Sequence, residues 1–174
     1  GQVLPQSPDP DLALNALERF FAHPAARDLL PALLADEASR LRDLVQLLGT
    51  SQFLGDVLAA DPDFLEAATA SLRVTPTRDE LVEGLRADTA TGDDAAALRA
   101  FRRFRRRQLL RIGVNDIVRD RPLEEITADL SRVAEAAIVV AWERALKAIA
   151  QRFGEPRAGP GGPARAAVLA FGKL

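Results

Sequence analysis

Between Pro122 and Gly154 the sequence contains neither glycine nor proline. A stretch that long without a breaker predicts one continuous helix, spanning roughly 45 Å at about 1.5 Å per residue. Glu124 and Glu125 stand where they complement the positive end of its dipole. Its middle, Val133 to Trp142, holds a single charge, Glu135, so this part is expected to be covered on more than one side. The uncharged part is too short to cross a bilayer, which takes about 18 or more apolar residues. A second long helix is expected from Asp93-Asp94 to about Asp120. Two such elements in an alanine- and leucine-rich chain call for a bundle of helices packed closely at small residues.

Composition narrows the chemistry. The 174 residues carry a net charge of −2, so no global field gathers nucleic acid or acidic membrane. There is no cysteine, which removes disulfides and thiolate metal sites. The only histidine, His23, leaves no basis for a histidine metal site or a catalytic triad, and it reads as a solvated loop residue. The start has no signal-peptide pattern, so the cytoplasm is the default compartment. The chain has no methionine, even at position 1, which is expected of an excised or processed piece.

The amino-terminal half reads as a series of short helices. Asp9-Pro10-Asp11 is a capped start, and His23-Pro24 ends that helix. Pro31 interrupts the spacing of Leu29, Leu30, Leu33 and Leu34, so the chain bends or restarts there. Asp36 is the expected cap of a helix that Gly49 ends, and Ser51 caps the next. Asp61-Pro62 repeats the Asp-Pro start, and Thr77 to Glu80 forms a capping box. Gly154 to Pro163 is dense in breakers and reads as a linker. Val168, Leu169, Ala170 and Phe171 then form a short apolar run before Gly172-Lys173, as a buried strand would.

Residues 99–111 hold Arg99, Arg102, Arg103, Arg105, Arg106, Arg107 and Arg111. On a helical wheel Leu98, Phe101, Phe104, Leu109 and Ile112 share one arc, and Arg99, Arg103, Arg106 and Arg107 lie roughly opposite. A basic face of this kind is either solvated surface or a site for phosphates or an acidic partner. Arg105 falls inside the apolar arc, where a guanidinium must snorkel or find a carboxylate. Asp116 and Glu135 are the expected partners. Past Leu109 the apolar side swings round to Leu110, Val114, Ile117 and Val118, so the helix should kink near Gly113 or be buried on two sides beyond it. The adjacent acidic pairs Asp93-Asp94 and Glu124-Glu125 point to different helix faces and suit helix starts better than catalysis.

Arg102-Arg103-Phe104-Arg105-Arg106-Arg107-Gln108-Leu109-Leu110-Arg111-Ile112-Gly113, followed by Asp116, resembles the signature helix of the glutamine synthetase adenylyltransferases. These bifunctional enzymes attach AMP to glutamine synthetase and remove it again. Leu48 to Leu54 with Asp61-Pro62, Leu123 to Thr127 with Leu130-Ser131, and Phe171-Gly172-Lys173-Leu174 are similar to further segments of that family. The family's pattern often has methionine where this chain has Phe171, a change a core strand accommodates. The arginine wording and its distance from the Leu-Gly-Thr-Ser segment look more like the N-terminal, adenylyl-removing half.

The resemblance implies a mainly α fold: a helical domain over residues 1–153, a linker over 154–163, and at 164–174 the first strand of a truncated nucleotidyltransferase α/β domain. It implies Gly172 and Lys173 as the opening of a nucleotide-binding turn. The metal-binding aspartates of the motif would follow Leu174, so the chain by itself is expected to be inactive. For the parent enzyme it implies Mg²⁺, ATP or ADP and phosphate, and the partners glutamine synthetase and the nitrogen-signalling PII protein. Paired carboxylates suit such chemistry because two bridged metals stabilise the attacking and leaving oxygens of an in-line displacement. Two other readings compete. One is a helical adaptor gripping an acidic partner through the Arg99–Arg111 face. The other is nucleic-acid binding through the same arginines, disfavoured by the acidic balance and the scarcity of aromatics.

Overall fold

The computed structural model describes residues 3–35, 39–65, 75–159, 162, 164, 167 and 168. Among these it holds a short 3-10 helix, Leu4–Gln6, and eight α-helices: α1 Pro10–Ala22, α2 Pro24–Asp28, α3 Leu30–Ala35, α4 Ser39–Thr50, α5 Gln52–Ala60, α6 Arg78–Asp88, α7 Asp94–Ile117 and α8 Leu123–Phe153. No strand occurs among the described residues. The mainly α expectation is met. The strand expected at 164–174 lies largely outside the described residues, as does Asp36.

Local chemistry sets the helix starts. Asp9 accepts the Leu12 N–H at 2.9 Å, Ser51 accepts that of Leu54 at 3.3 Å, and Asp93 accepts that of Ala96 at 2.8 Å. Each satisfies one of the donors a helix start leaves open. At α6 the capping box closes both ways: Thr77 Oγ1 accepts the Glu80 N–H at 3.3 Å, and Glu80 accepts the Thr77 N–H at 2.7 Å. The Thr77 backbone bond, then its hydroxyl, holds the Glu80 carboxyl below its ordinary range. His23 closes α1 and opens α2, its Nδ1 accepting the Ala25 N–H. Helix α3 restarts around Pro31, as the interrupted spacing predicts.

The chain divides into two compact units. The first comprises residues 1–75 and 103–126. Its core is built from Ala13, Ala16 and Phe20 of α1, Leu44, Val45, Leu47 and Leu48 of α4, Leu54, Val57 and Leu58 of α5, and Leu110 and Val114 of α7. Two glycines set how closely its elements approach. An added Cβ at Gly113 would stand 2.4 Å from Leu54 Cδ1, and one at Gly49 only 1.9 Å from Ser7 Oγ and 3.0 Å from the Asp9 carbonyl. Gly49 therefore does not end α4 as expected. It sits inside the helix, and the chain crosses over it. Helix α7 runs uninterrupted through Gly113 and is buried around most of its circumference from Leu110 to Asn115. Gln46 Nε2 donates to the Ile117 carbonyl at 2.7 Å, capping the end of α7 from a helix 71 residues away in sequence.

The second unit comprises residues 76–102 and 127–174. Among its described residues, Leu81, Val82 and Leu85 of α6, Ala97 of α7, and Val133, Ala136 and Val140 of α8 are the buried apolar side chains. Arg78 Nε lies 3.1 Å from Glu135, and Arg86 grips Glu143 through two bonds of 3.0 and 2.9 Å. The two pairs are eight residues apart on both helices, so α6 and α8 run in the same direction. The Arg86 hydrogen bond draws the Glu143 carboxyl below its usual range, and Glu143 raises Arg86 in turn. Arg144 of α8 donates to the Thr89 carbonyl and lies 3.5 Å from Asp94. In the middle of α8 Val133, Ala136 and Val140 are buried and Ala134, Ala137, Ile138 and Val139 half-buried, whereas Trp142 stays 38% exposed.

Candidate functional site on the arginine helix

Helix α7 buries Phe104 and Ile112 of the arc its apolar residues suggest, half-buries Phe101 and Leu109, and turns a further line inward beside it. Phe104, Arg111 and Asn115 are buried along one stripe with Gln108 half-buried between them, whereas Leu98 is 56% exposed. Spacings of four, three and four residues make this a regular helical face. The stripe is not legible as an apolar pattern because three of its four members, Gln108, Arg111 and Asn115, are polar. Arg111 is 3% exposed, and its Nε donates to Gln108 Oε1 at 2.9 Å. Asn115 is 2% exposed, its carbonyl accepts the Arg121 N–H at 3.1 Å, and its side-chain oxygen meets no partner among the described residues.

The buried role expected for Arg105 is not met. The residue lies one position round from the inward stripe and is exposed, and it makes no ion pair with another described residue. Asp116 is likewise exposed, and Glu135 pairs with Arg78 instead. The buried guanidinium of this helix is Arg111, six residues on.

The basic face itself is present. Arg103, Arg106 and Arg107 are exposed, as is Arg99 one turn earlier on the same helix. Arg103 is held in place: its guanidinium lies 5.2 Å from the centre of the Phe64 ring and 3.4 Å from Asp61. The second Asp-Pro start thus supplies both an anion and an aromatic face to the arginine helix. Arg106 and Arg107 form no hydrogen bond or ion pair with another described residue. Arg103 lies three residues from Arg106 and four from Arg107, so like charges crowd one side of the helix. Each such pair costs a helix about 0.2–0.5 kcal/mol, and among the described residues Asp61 answers Arg103 alone. The arrangement can neutralise an anionic surface. It offers no nucleophile or general base.

No group of three or more His, Cys, Asp or Glu side chains able to hold a metal ion occurs among the described residues. Asp93 caps α7, and Glu124 and Glu125 occupy the first turn of α8. Gly172 and Lys173 lie outside the described residues. No helix among the described residues is long and apolar enough to cross a membrane.

Comparison with known proteins places the chain. The family model for glutamate-ammonia ligase adenylyltransferase matches residues 41–174. The bifunctional glutamine synthetase adenylyltransferase/adenylyl-removing enzyme of Mycobacterium avium is 34% identical over 180 aligned residues, covering 98% of this chain and 17% of the relative. That of Nocardia farcinica is 30% identical over 176, with the same two shares. That of Shewanella frigidimarina is 27% identical over 140, covering 79% of this chain and 14% of the relative. The chain thus spans about one sixth of the length of these curated relatives. No solved structure matches. With the signature helix, its capped neighbours and three quarters of the sequence all matching one model, the chain belongs to the glutamate-ammonia ligase adenylyltransferase family.

Proposed function

We propose that this chain is the helical part of an enzyme that attaches AMP to glutamine synthetase and removes it. Within that enzyme we assign it to the N-terminal, adenylyl-removing half. The match over residues 41–174 carries the enzyme reading, and the arginine wording of α7 favours that half. In the parent reaction, phosphate attacks the phosphorus of the AMP–tyrosine ester. The bond to the tyrosine oxygen breaks, ADP leaves and the phenol regains its proton. Mg²⁺, bound by carboxylates outside the described residues, would stabilise the charge on the attacking and leaving oxygens. Gly172 and Lys173 would open the nucleotide-binding turn.

The role of the described helices is recognition and support. The face of Arg103, Arg106 and Arg107 fits an acidic patch on glutamine synthetase. Like charge crowded on one side of a helix is the kind of local cost that persists where a surface is used. PII is the other partner the reading implies.

The test is a kinetic comparison in the full-length polypeptide. Charge reversal at Arg106 and Arg107 should raise KM for adenylylated glutamine synthetase tenfold or more and leave kcat within twofold. Reversal at Arg105, off that face, should change neither. Equal effects at all three positions would remove the docking role. A full-length polypeptide without AMP transfer or removal, still binding an acidic partner through the arginines, would favour the adaptor reading.

A further inference from the structure

Two arginines of the chain meet their carboxylates in different ways. Arg86 closes on Glu143 through two bonds, from Nε at 3.0 Å and from Nη2 at 2.9 Å. That pair uses one whole edge of the guanidinium fork. Arg103 meets Asp61 through Nη2 alone, at 3.4 Å. Its Nε and Nη1 have no partner among the described residues, and its side chain is 61% exposed. Most of its five N–H donors are therefore open.

What Arg103 has in place of a second bond is a seat. The guanidinium lies 5.2 Å from the centre of the Phe64 ring. Phe64 is 2% exposed, so close packing fixes that ring. The Phe64 N–H donates to the Asp61 carbonyl at 3.1 Å, and the Asp61 N–H to the Val57 carbonyl at 3.2 Å. One turn of backbone, tied to the end of α5, thus presents a ring and a carboxylate to the same guanidinium. An arginine placed this way has given up rotamer freedom before any partner arrives. Arg106 and Arg107, exposed on the same helix, have no such seat among the described residues.

The difference divides the labour on this face. Loose, exposed charges speed encounter and lose their effect in salt. A fixed fork gains more from each bond it forms, because less ordering is left to do. Arginine is also among the side chains that most often dominate the energy of an interface. We propose that Arg103 is the anchor of the arginine face. Its open N–H groups take a carboxylate of the partner, Phe64 and Asp61 position it, and Arg106 and Arg107 draw the partner in. The proposal rests on the reading of this face as the dock for glutamine synthetase.

The test makes one chemical change at three positions of the full-length polypeptide. Arg103→Lys, Arg106→Lys and Arg107→Lys each keep the charge and lose the fork. Binding to adenylylated glutamine synthetase is followed in time. Arg103→Lys should raise koff at least tenfold with kon within twofold, and the other two should change neither by more than twofold. Phe64→Leu, which keeps an apolar side chain at a buried position, should raise koff as Arg103→Lys does. Replacing Arg106 and Arg107 together by alanine should lower kon at least fivefold and flatten its salt dependence. Equal effects of the three lysines overturn the proposal, as does an unchanged koff in Phe64→Leu or an unchanged kon in the double alanine variant. A wild-type polypeptide that does not bind glutamine synthetase sinks the docking reading instead. The anchor is then judged on a synthetic hexaglutamate peptide, for which Arg103→Lys should still weaken binding at least fivefold more than Arg106→Lys. Equal weakening, or no binding of that peptide, overturns it.

Discussion

The two units are held together by different physics. The first buries a continuous set of apolar side chains from α1, α4, α5 and α7, and glycines let its elements close up until added atoms have no room. The second has fewer buried apolar side chains and links α6 to α8 through guanidinium–carboxylate pairs that are about half exposed. Apolar burial is insensitive to pH and little affected by salt, whereas exposed ion pairs respond to both. The first unit should therefore tolerate solution changes and punish changes of volume. The second should do the reverse.

The sharpest way to break this contrast is to empty the first core. Phe20→Ala, at a side chain with no exposure, should cost about 3–5 kcal/mol in denaturant unfolding. A loss under about 1 kcal/mol would show the core to be loosely packed. Overfilling comes next. Gly113→Val should cost about 1–3 kcal/mol, because Leu54 must move out of the way. Gly84→Ala in α6, where nothing lies within 4 Å of the added carbon, should instead stabilise slightly.

Acid should separate the units. The folded value of Glu143 lies below its ordinary 4.5, so its pairing stabilises fully above that value and is lost as pH falls through the lowered one. The bond from Thr77 acts on Glu80 with the same sign. Hydrogen exchange followed from pH 7 downward should show α6 opening before α4, and Glu143→Gln should remove much of the difference. Simultaneous opening would mean that the pairs contribute nothing distinct.

The smallest effect lies on the arginine helix. Arg103→Ala gives up its position over Phe64 and should cost about 0.5–1 kcal/mol. Arg105→Ala should stay within about 0.5 kcal/mol, the ordinary range for an exposed substitution. This order is the opposite of the one the apolar arc suggests, and thermal unfolding of the two variants decides it.

What could be read from the residues alone was what local chemistry controls. Caps at Asp9, Ser51 and Thr77 act within three residues, so spacing reveals them. The restart at Pro31 and the stop at Gly154 are likewise local. Long-range packing left no such trace. Nothing near Gly49 announces that Ser7 and Asp9 cross it, and nothing near Gln46 announces the Ile117 carbonyl. Part of the inward surface of α7 is not legible as an apolar arc, because some of its interior positions hold polar residues. Arg111 and Asn115 fill such positions, and Arg105, which looked trapped, faces water. The basic face was legible as a pattern. Its anchoring by Asp61 and Phe64 was not, because those residues are some 40 positions away.

The two clasps between α6 and α8 share one step, eight residues on each helix. They work like the marks of a vernier, closing together at one alignment. Deleting a single residue between Arg78 and Arg86 would swing one guanidinium a quarter-turn off its mark and leave the other in place. Insertions and deletions in that short helix should therefore be purged far more strictly than point changes on its outer side.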